Sequence, residues 1–200
     1  MITDIQNQSK FRVILASGSL RRAELLRSAG IDFEVIVPKI NEILLPDENP
    51  VGFCLRLARE KAESIKTNGI IIAADTIVML ESRIFGKPSD MEDAVNTLRL
   101  LSGKTHNVIT GVCLRFPNKI ISFHVSTSVE FRNLSEQEIR SYVETGEAFD
   151  KAGAYAIQGR AASMIRRING SYTNVVGLPL CEIIEELKKF YEEFSKSPAF

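Results

Sequence analysis

Apolar and polar positions along the chain follow two rhythms in turn. FRVILAS (11–17) is a short apolar run of strand length, and LRRAELLRSAG (20–30) changes to helical spacing, with Ala23, Leu26 and Ala29 on one face and Gly30 as its stop. FEVIVP (33–38) predicts a second strand. NPVGFCLRLAREKAESIK (49–66) predicts an amphipathic helix, with Leu55, Ala58 and Ala62 on one side. IIIAADTIVML (70–80) reads as a central strand interrupted by Asp75, and the turn ESR then leads into IFGKP, a hairpin ending at Pro88. Ser89 or Asp90 can cap the helix MEDAVNTLRLL, which ends near Gly103.

The second half opens with two long strand patterns, HNVITGVCLRF and KIISFHVSTSVEF, joined at Pro117-Asn118. Ser135 and Glu138 form a capping box for SEQEIRSYVETG. A glycine-rich stretch, GEAFDKAGAYAIQGRAA, precedes the short strand SMIRRING and the last helix LPLCEIIEELKKFYEEF; SKSPAF reads as a frayed tail. With no internal repeat and no linker, the pattern predicts one α/β domain over residues 1–200, built on a mixed sheet.

Composition narrows the partners. The 200 residues are 44% hydrophobic and 25% charged, with 25 basic against 25 acidic side chains. That supports a real core and gives no overall basic field, so neither a nucleic acid polymer nor a membrane is the expected partner. MITDIQNQSKFR is too polar for a secretory signal, which points to the cytoplasm. It also removes the weight of the Asn-x-Ser triplets at Asn7, Asn133 and Asn169. Cys54, Cys113 and Cys181, scattered among apolar neighbours, read as reduced core residues. His106 and His124 have no metal-ligand spacing and read as structural.

Two features stand against the ordinary pattern. ASGSLRRAELL (16–26) places Arg21 and Arg22 in the first turn of a helix, where the dipole disfavours cations unless an anion arrives. Ser17, Gly18 and Ser19 add hydroxyls and unencumbered backbone beside free N–H groups, so the turn outlines a phosphate or carboxylate site. Asp75, inside an apolar strand, is costly to bury unless paired or metal-bound. Glu42 offers a second carboxylate, and Lys61 and Lys87 offer cations. SGKT (102–105) is not a P-loop, because Leu98 stands where the first glycine is required. The set suits metal-assisted phosphoryl chemistry, and the residues alone leave a phosphatase, a nucleotide-binding regulator and a transferase open.

From LASGSLRRAELL to VVGLPLCEIIEEL, the chain resembles the Maf family of nucleoside triphosphate pyrophosphatases. The likeness runs through INE, LAREKA, AADTIV, GKP, SGKTHNVITGV, DKAGAYAIQGRAA and INGSYTNVVGLPL, in that order. It departs at Leu20, where the family usually has proline, a residue that pre-sets the backbone without supplying a catalytic group. The resemblance implies a two-lobed α/β fold with a mixed sheet and a central cleft, like that of inosine triphosphate pyrophosphatases. It also implies hydrolysis between the α and β phosphates, a divalent cation (Mg²⁺ or Mn²⁺) and a homodimer.

Carried onto this chain, it makes Asp75 the catalytic or metal-binding carboxylate, with Glu42 as the second metal ligand. Lys61 and Lys87 become catalytic cations, and Ser17, Ser19, Arg21 and Arg22 the triphosphate-binding turn. Arg21, Thr76 and Gln158 resemble the branch acting on thymidine and uridine triphosphates. The other branch, acting on 7-methylguanosine triphosphate, tends to carry an acid where Gln158 stands. An amide both donates and accepts, which suits the O4 and N3–H of uracil or thymine. The alternatives are the 7-methylguanosine branch and a non-catalytic regulator of cell division.

Overall fold

A computed structural model describes residues 11–196. The polar stretch at 1–10, including the Asn7 triplet, and the last four residues of the tail lie outside that range. The elements are β1 (Val13–Leu15), α1 (Leu20–Ser28), β2 (Glu34–Val35), α2 (Pro50–Glu63), β3 (Ile70–Leu80), β4 (Arg83–Phe85), α3 (Met91–Leu101), β5 (Thr105–Arg115), β6 (Ile120–Phe131), α4 (Glu136–Val143), β7 (Ile165–Asn169), α5 (Tyr172–Val176) and α6 (Leu180–Lys196). Two short 3₁₀ turns, Ala152–Ala154 and Arg160–Met164, lie between α4 and β7.

The local signals act as their chemistry dictates. Ser19, Asn49, Asp90 and Ser135 each cap a helix by accepting a backbone N–H, and the Ser135–Glu138 capping box is complete. Gly30, at φ 71°, takes the left-handed conformation just past α1.

Seven strands form one mixed sheet in the order β2-β1-β3-β5-β6-β7, with β4 beside the far part of β3. β1 is parallel to β2 and β3, and the remaining pairs are antiparallel. β3, β5 and β6 are each about 36–40 Å long. On one face of β3, Ile70, Ile72 and Ala74 join a core with β1, α1 and α6, while Val78 joins a second core with β4, α3, α4 and the 3₁₀ turns. These two cores are the lobes. On the opposite face, under α2, Ile71 and Ala73 pack with Ala58 and Ala62, and Ile77 packs with Phe53 and Leu57. Thr76 on one face and Asp75 on the other fall at the joins between clusters.

Three expectations need correction. FEVIVP contributes only Glu34–Val35 to the sheet, with both residues exposed, because β1 beside it is three residues long and offers no further ladder. Cys54 and Cys113 are buried, but Cys181 is exposed on α6. The buried stripe of α2 is Phe53, Cys54, Leu57, Ala58, Lys61 and Ala62, with Leu55 half-buried at its margin.

Candidate active site

The site arises from a gap in strand pairing. β1 accompanies β3 only as far as Ile72, and β4 joins the same side of β3 at Val78. Between them, residues 73–77 have no strand partner on that edge among the described residues. Beyond Leu15 the chain leaves the sheet as the Ser17–Ser19 turn and enters α1. A cleft of about 1100 Å³ opens there, and both faces of the sheet reach it, Asp75 from the α2 side and Thr76 from the other. Every candidate residue named from the sequence lines this one cleft: the four of the serine-arginine turn, Glu42, Lys61, Asp75, Thr76, Lys87 and Gln158.

One corner is anionic. Lys61, in the last turn of α2, places its Nζ 2.6 Å from Asp75 Oδ1 and 2.7 Å from Glu42 Oε1. Lys61 and Asp75 are only 7% and 8% exposed, so the ammonium is the counter-ion that makes the buried carboxylate tolerable. α2 can come this close because Gly111 pairs with Asp75 in the sheet; a Cβ there would fall 2.6 Å from the Cys54 carbonyl carbon. Partial burial pushes the Glu42 carboxyl up, but the hydrogen bond and charge of Lys61, with Lys87 and Arg22 behind, bring it below its ordinary value. Lys87 is exposed, in the turn after β4.

The other corner is cationic and highly ordered. The first turn of α1 carries no acid. Arg22 donates from Nε to the Gly177 carbonyl (2.7 Å), from Nη1 to Ser17 Oγ (3.2 Å) and from Nη2 to Thr76 Oγ1 (3.0 Å). Each guanidinium nitrogen therefore has one fixed bond, and its orientation is set before any ligand arrives. Arg21 crosses to the far lobe and pairs with Asp150 at 3.0 Å.

Sequence reasoning missed what stands behind Arg22. Thr76 Oγ1 bonds Thr110 Oγ1 (2.9 Å), and Thr110 donates to the Asn174 carbonyl (3.2 Å). The fully buried Asn174 donates from Nδ2 to the Val108 carbonyl and to Thr127 Oγ1, both at 3.0 Å. This network ties α5, and with it the Gly177 carbonyl, to three strands. Its one sequence signal is that Thr110 interrupts the apolar run HNVITGV. Of the two histidines, His124 is exposed. His106 is buried and bonds the Tyr155 hydroxyl through Nε2 (2.8 Å), and its Nδ1 has no partner among the described residues.

Residues 12–190 match the family described as Maf-like protein. A protein of Geotalea uraniireducens named dTTP/UTP pyrophosphatase is 51% identical over 187 residues, which is 91% of this chain and 96% of that protein. Proteins with the same name from Geobacter sulfurreducens and Bacillus cereus are 51% and 45% identical, over 90% of this chain and 97% and 95% of their own length. Among solved structures, the Ham1 protein of Staphylococcus aureus aligns with 91% of this chain and 98% of its own, at a TM-score of 0.48 and 14% identity. A family match across nearly the whole chain, with relatives at about half identity, makes this chain a member of the Maf family.

Proposed function

We propose that the protein hydrolyses dTTP and UTP, and modified pyrimidine nucleotides offering the same contacts, to the monophosphate and pyrophosphate. The observation that carries this reading is the meeting, at two consecutive residues of one strand, of a buried carboxylate at Asp75 and a pre-oriented arginine on Thr76. The names of the relatives support the substrate class.

The triphosphate lies on the Ser17–Arg22 turn, where the α1 N-terminus and the serine hydroxyls donate to it. Water attacks the α phosphorus in line. The new O–P bond forms as the bond to the β-phosphate oxygen breaks, and Asp75 takes the water's proton. Lys61 holds Asp75 in place through the 2.6 Å contact. Arg21, Arg22 and Lys87 neutralise the charge that gathers on the departing pyrophosphate. Gln158 pairs with O4 and N3–H of the base.

The donor set also fits a divalent cation. Asp75 and Glu42 both contact the Lys61 ammonium and both line the cleft, so the two carboxylates lie side by side there. Among the described residues no group of three or more His, Cys, Asp or Glu side chains is placed to hold a metal. Two carboxylates completed by water and substrate phosphates is the usual environment of Mg²⁺. Asp75 and Glu42 would hold it, and the ion supplies charge screening and a more acidic bound water.

We further place the enzyme in the cytoplasm with its nucleotide substrates, acting as a homodimer. The exposed apolar side chains of Val35, Val37, Ile43 and Leu45 support the second point.

The test is pyrophosphate release from dTTP, UTP, CTP, GTP and 7-methyl-GTP, with Mg²⁺, with Mn²⁺ and with chelator. Metal-dependent release led by dTTP and UTP is expected. A lead by 7-methyl-GTP would overturn the role of Gln158, and binding without release would favour the regulator.

A further inference from the structure

Gln158 also lines the cleft, on a tight turn closed by the Gly159 N–H on the Ala156 carbonyl at 3.1 Å. Two side chains pin this turn at its ends. The Ala156 N–H donates to the Tyr142 hydroxyl at 3.2 Å, and the Arg160 N–H donates to Glu147 Oε2 at 3.1 Å. Tyr142 in turn donates its proton to Glu147 Oε1 at 3.1 Å. The clamp is thus a closed circuit from α4 to both flanks of Gln158.

Two observations set Glu147 apart. It adds negative charge to a cleft that receives a triphosphate, yet among the described residues no cationic side chain pairs with its carboxylate; Lys151 donates only to its backbone carbonyl, at 3.0 Å. Both of its oxygens are instead spent on the circuit, as charge-assisted bonds stronger than neutral ones. Its seat also depends on Gly159, where any Cβ would overlap the carboxylate. Burial, then the charge of Glu147, raises the Tyr142 phenol above its ordinary value, which keeps it a donor.

We propose that Glu147, acting with Tyr142, is the positioning residue that aims the Gln158 amide at the base edge and so sets the base selectivity of the cleft. This rests on the reading of Gln158 as the group that recognises the base. An amide discriminates only when its donor and acceptor are held in register with N3–H and O4. A freed turn lets Gln158 sample other directions and lose that advantage.

The experiment is steady-state pyrophosphate release from dTTP, UTP, CTP and GTP by Glu147→Ala, Glu147→Gln, Tyr142→Phe and Gln158→Ala. Glu147→Ala should raise KM for dTTP and UTP about tenfold, equivalent to about 1.4 kcal/mol, while kcat is nearly retained and the preference over CTP and GTP shrinks. Glu147→Gln keeps an acceptor for Arg160 and a partner for Tyr142, so it should restore selectivity to within about threefold. Tyr142→Phe removes one hydroxyl at constant packing, so it decides the question if Glu147→Ala does not fold; it should shift KM in the same direction. If Gln158→Ala flattens the preference and neither clamp variant does, the clamp is overturned and base recognition by Gln158 stands. An equal loss of kcat on every substrate, unrescued by Glu147→Gln, also overturns it. A preference unchanged in Gln158→Ala removes the underlying reading itself.

Discussion

Asp75 is held by a single hydrogen-bonded ammonium, and that ammonium has a second carboxylate in Glu42. Asp75→Asn therefore leaves Lys61 with a charged partner and an amide oxygen to donate to, so the fold should survive. What disappears is the proton acceptor. We expect turnover to drop about 10²–10⁴-fold, with a circular dichroism spectrum unchanged from the wild type. Near-normal pyrophosphate release would remove Asp75 from the mechanism. At this scale the sequence was readable where a residue contradicts its neighbours, as Asp75 and Arg22 do. It was silent at Asn174 and Thr110, because polar groups that bond one another inside the fold leave no mark beyond an ordinary interruption. Glu147 was equally silent, since its role is visible only beside Gly159 and the Arg160 N–H.

Helix α2 carries Lys61, and its height above the sheet is set by Gly111. A methyl group there meets backbone on both sides of the Cys54–Leu55 peptide, with contacts of 2.6–2.8 Å that no rotamer change relieves. Gly111→Ala should cost about 1–3 kcal/mol, read as a lower urea midpoint, and should lower kcat as well because Lys61 rides on the displaced helix. Unchanged stability would show that the helix does not bear on that glycine. Element type was largely legible because capping residues and apolar spacing act locally. The long apolar run of β3 and the Ser135 capping box follow the expected bounds closely. FEVIVP did not, since a strand also needs an edge to pair with, and β1 supplies only three residues. The five-residue α5 was not foreseen; it is held by Asn174 and the Ser171 cap, with little apolar periodicity of its own.

Across the whole molecule, the two lobes share the three long strands and meet at the cleft, where Arg21–Asp150 is a direct ion pair between them. The lobe built on α3 and α4 also encloses His106 between Phe131 and Tyr155. Burial holds its imidazole at about 4, against about 6.5 when unfolded. In that window the unfolded chain binds a proton that the folded chain refuses, so stability falls as pH drops from about 6.5 toward 4. Between pH 7 and pH 4.5 this one residue should account for on the order of 2 kcal/mol. Urea unfolding at the two pH values should show a smaller loss in His106→Gln than in the wild type. An identical loss would assign the acid sensitivity to other groups.

The order of strands and helices, the capped helix starts, the anion-seeking turn at Ser17–Arg22 and the anomalous Asp75 were determined by the sequence itself, because each depends on residues within a few positions of one another. Only the tertiary structure decided where those parts meet. The gap in the β3 edge exists because β1 ends at Leu15 while β4 begins pairing at Val78. The orientation of Arg22 depends on a carbonyl 155 residues away at Gly177. Such contacts are set by three-dimensional packing, and no local pattern of hydrophobic and polar positions encodes their distances.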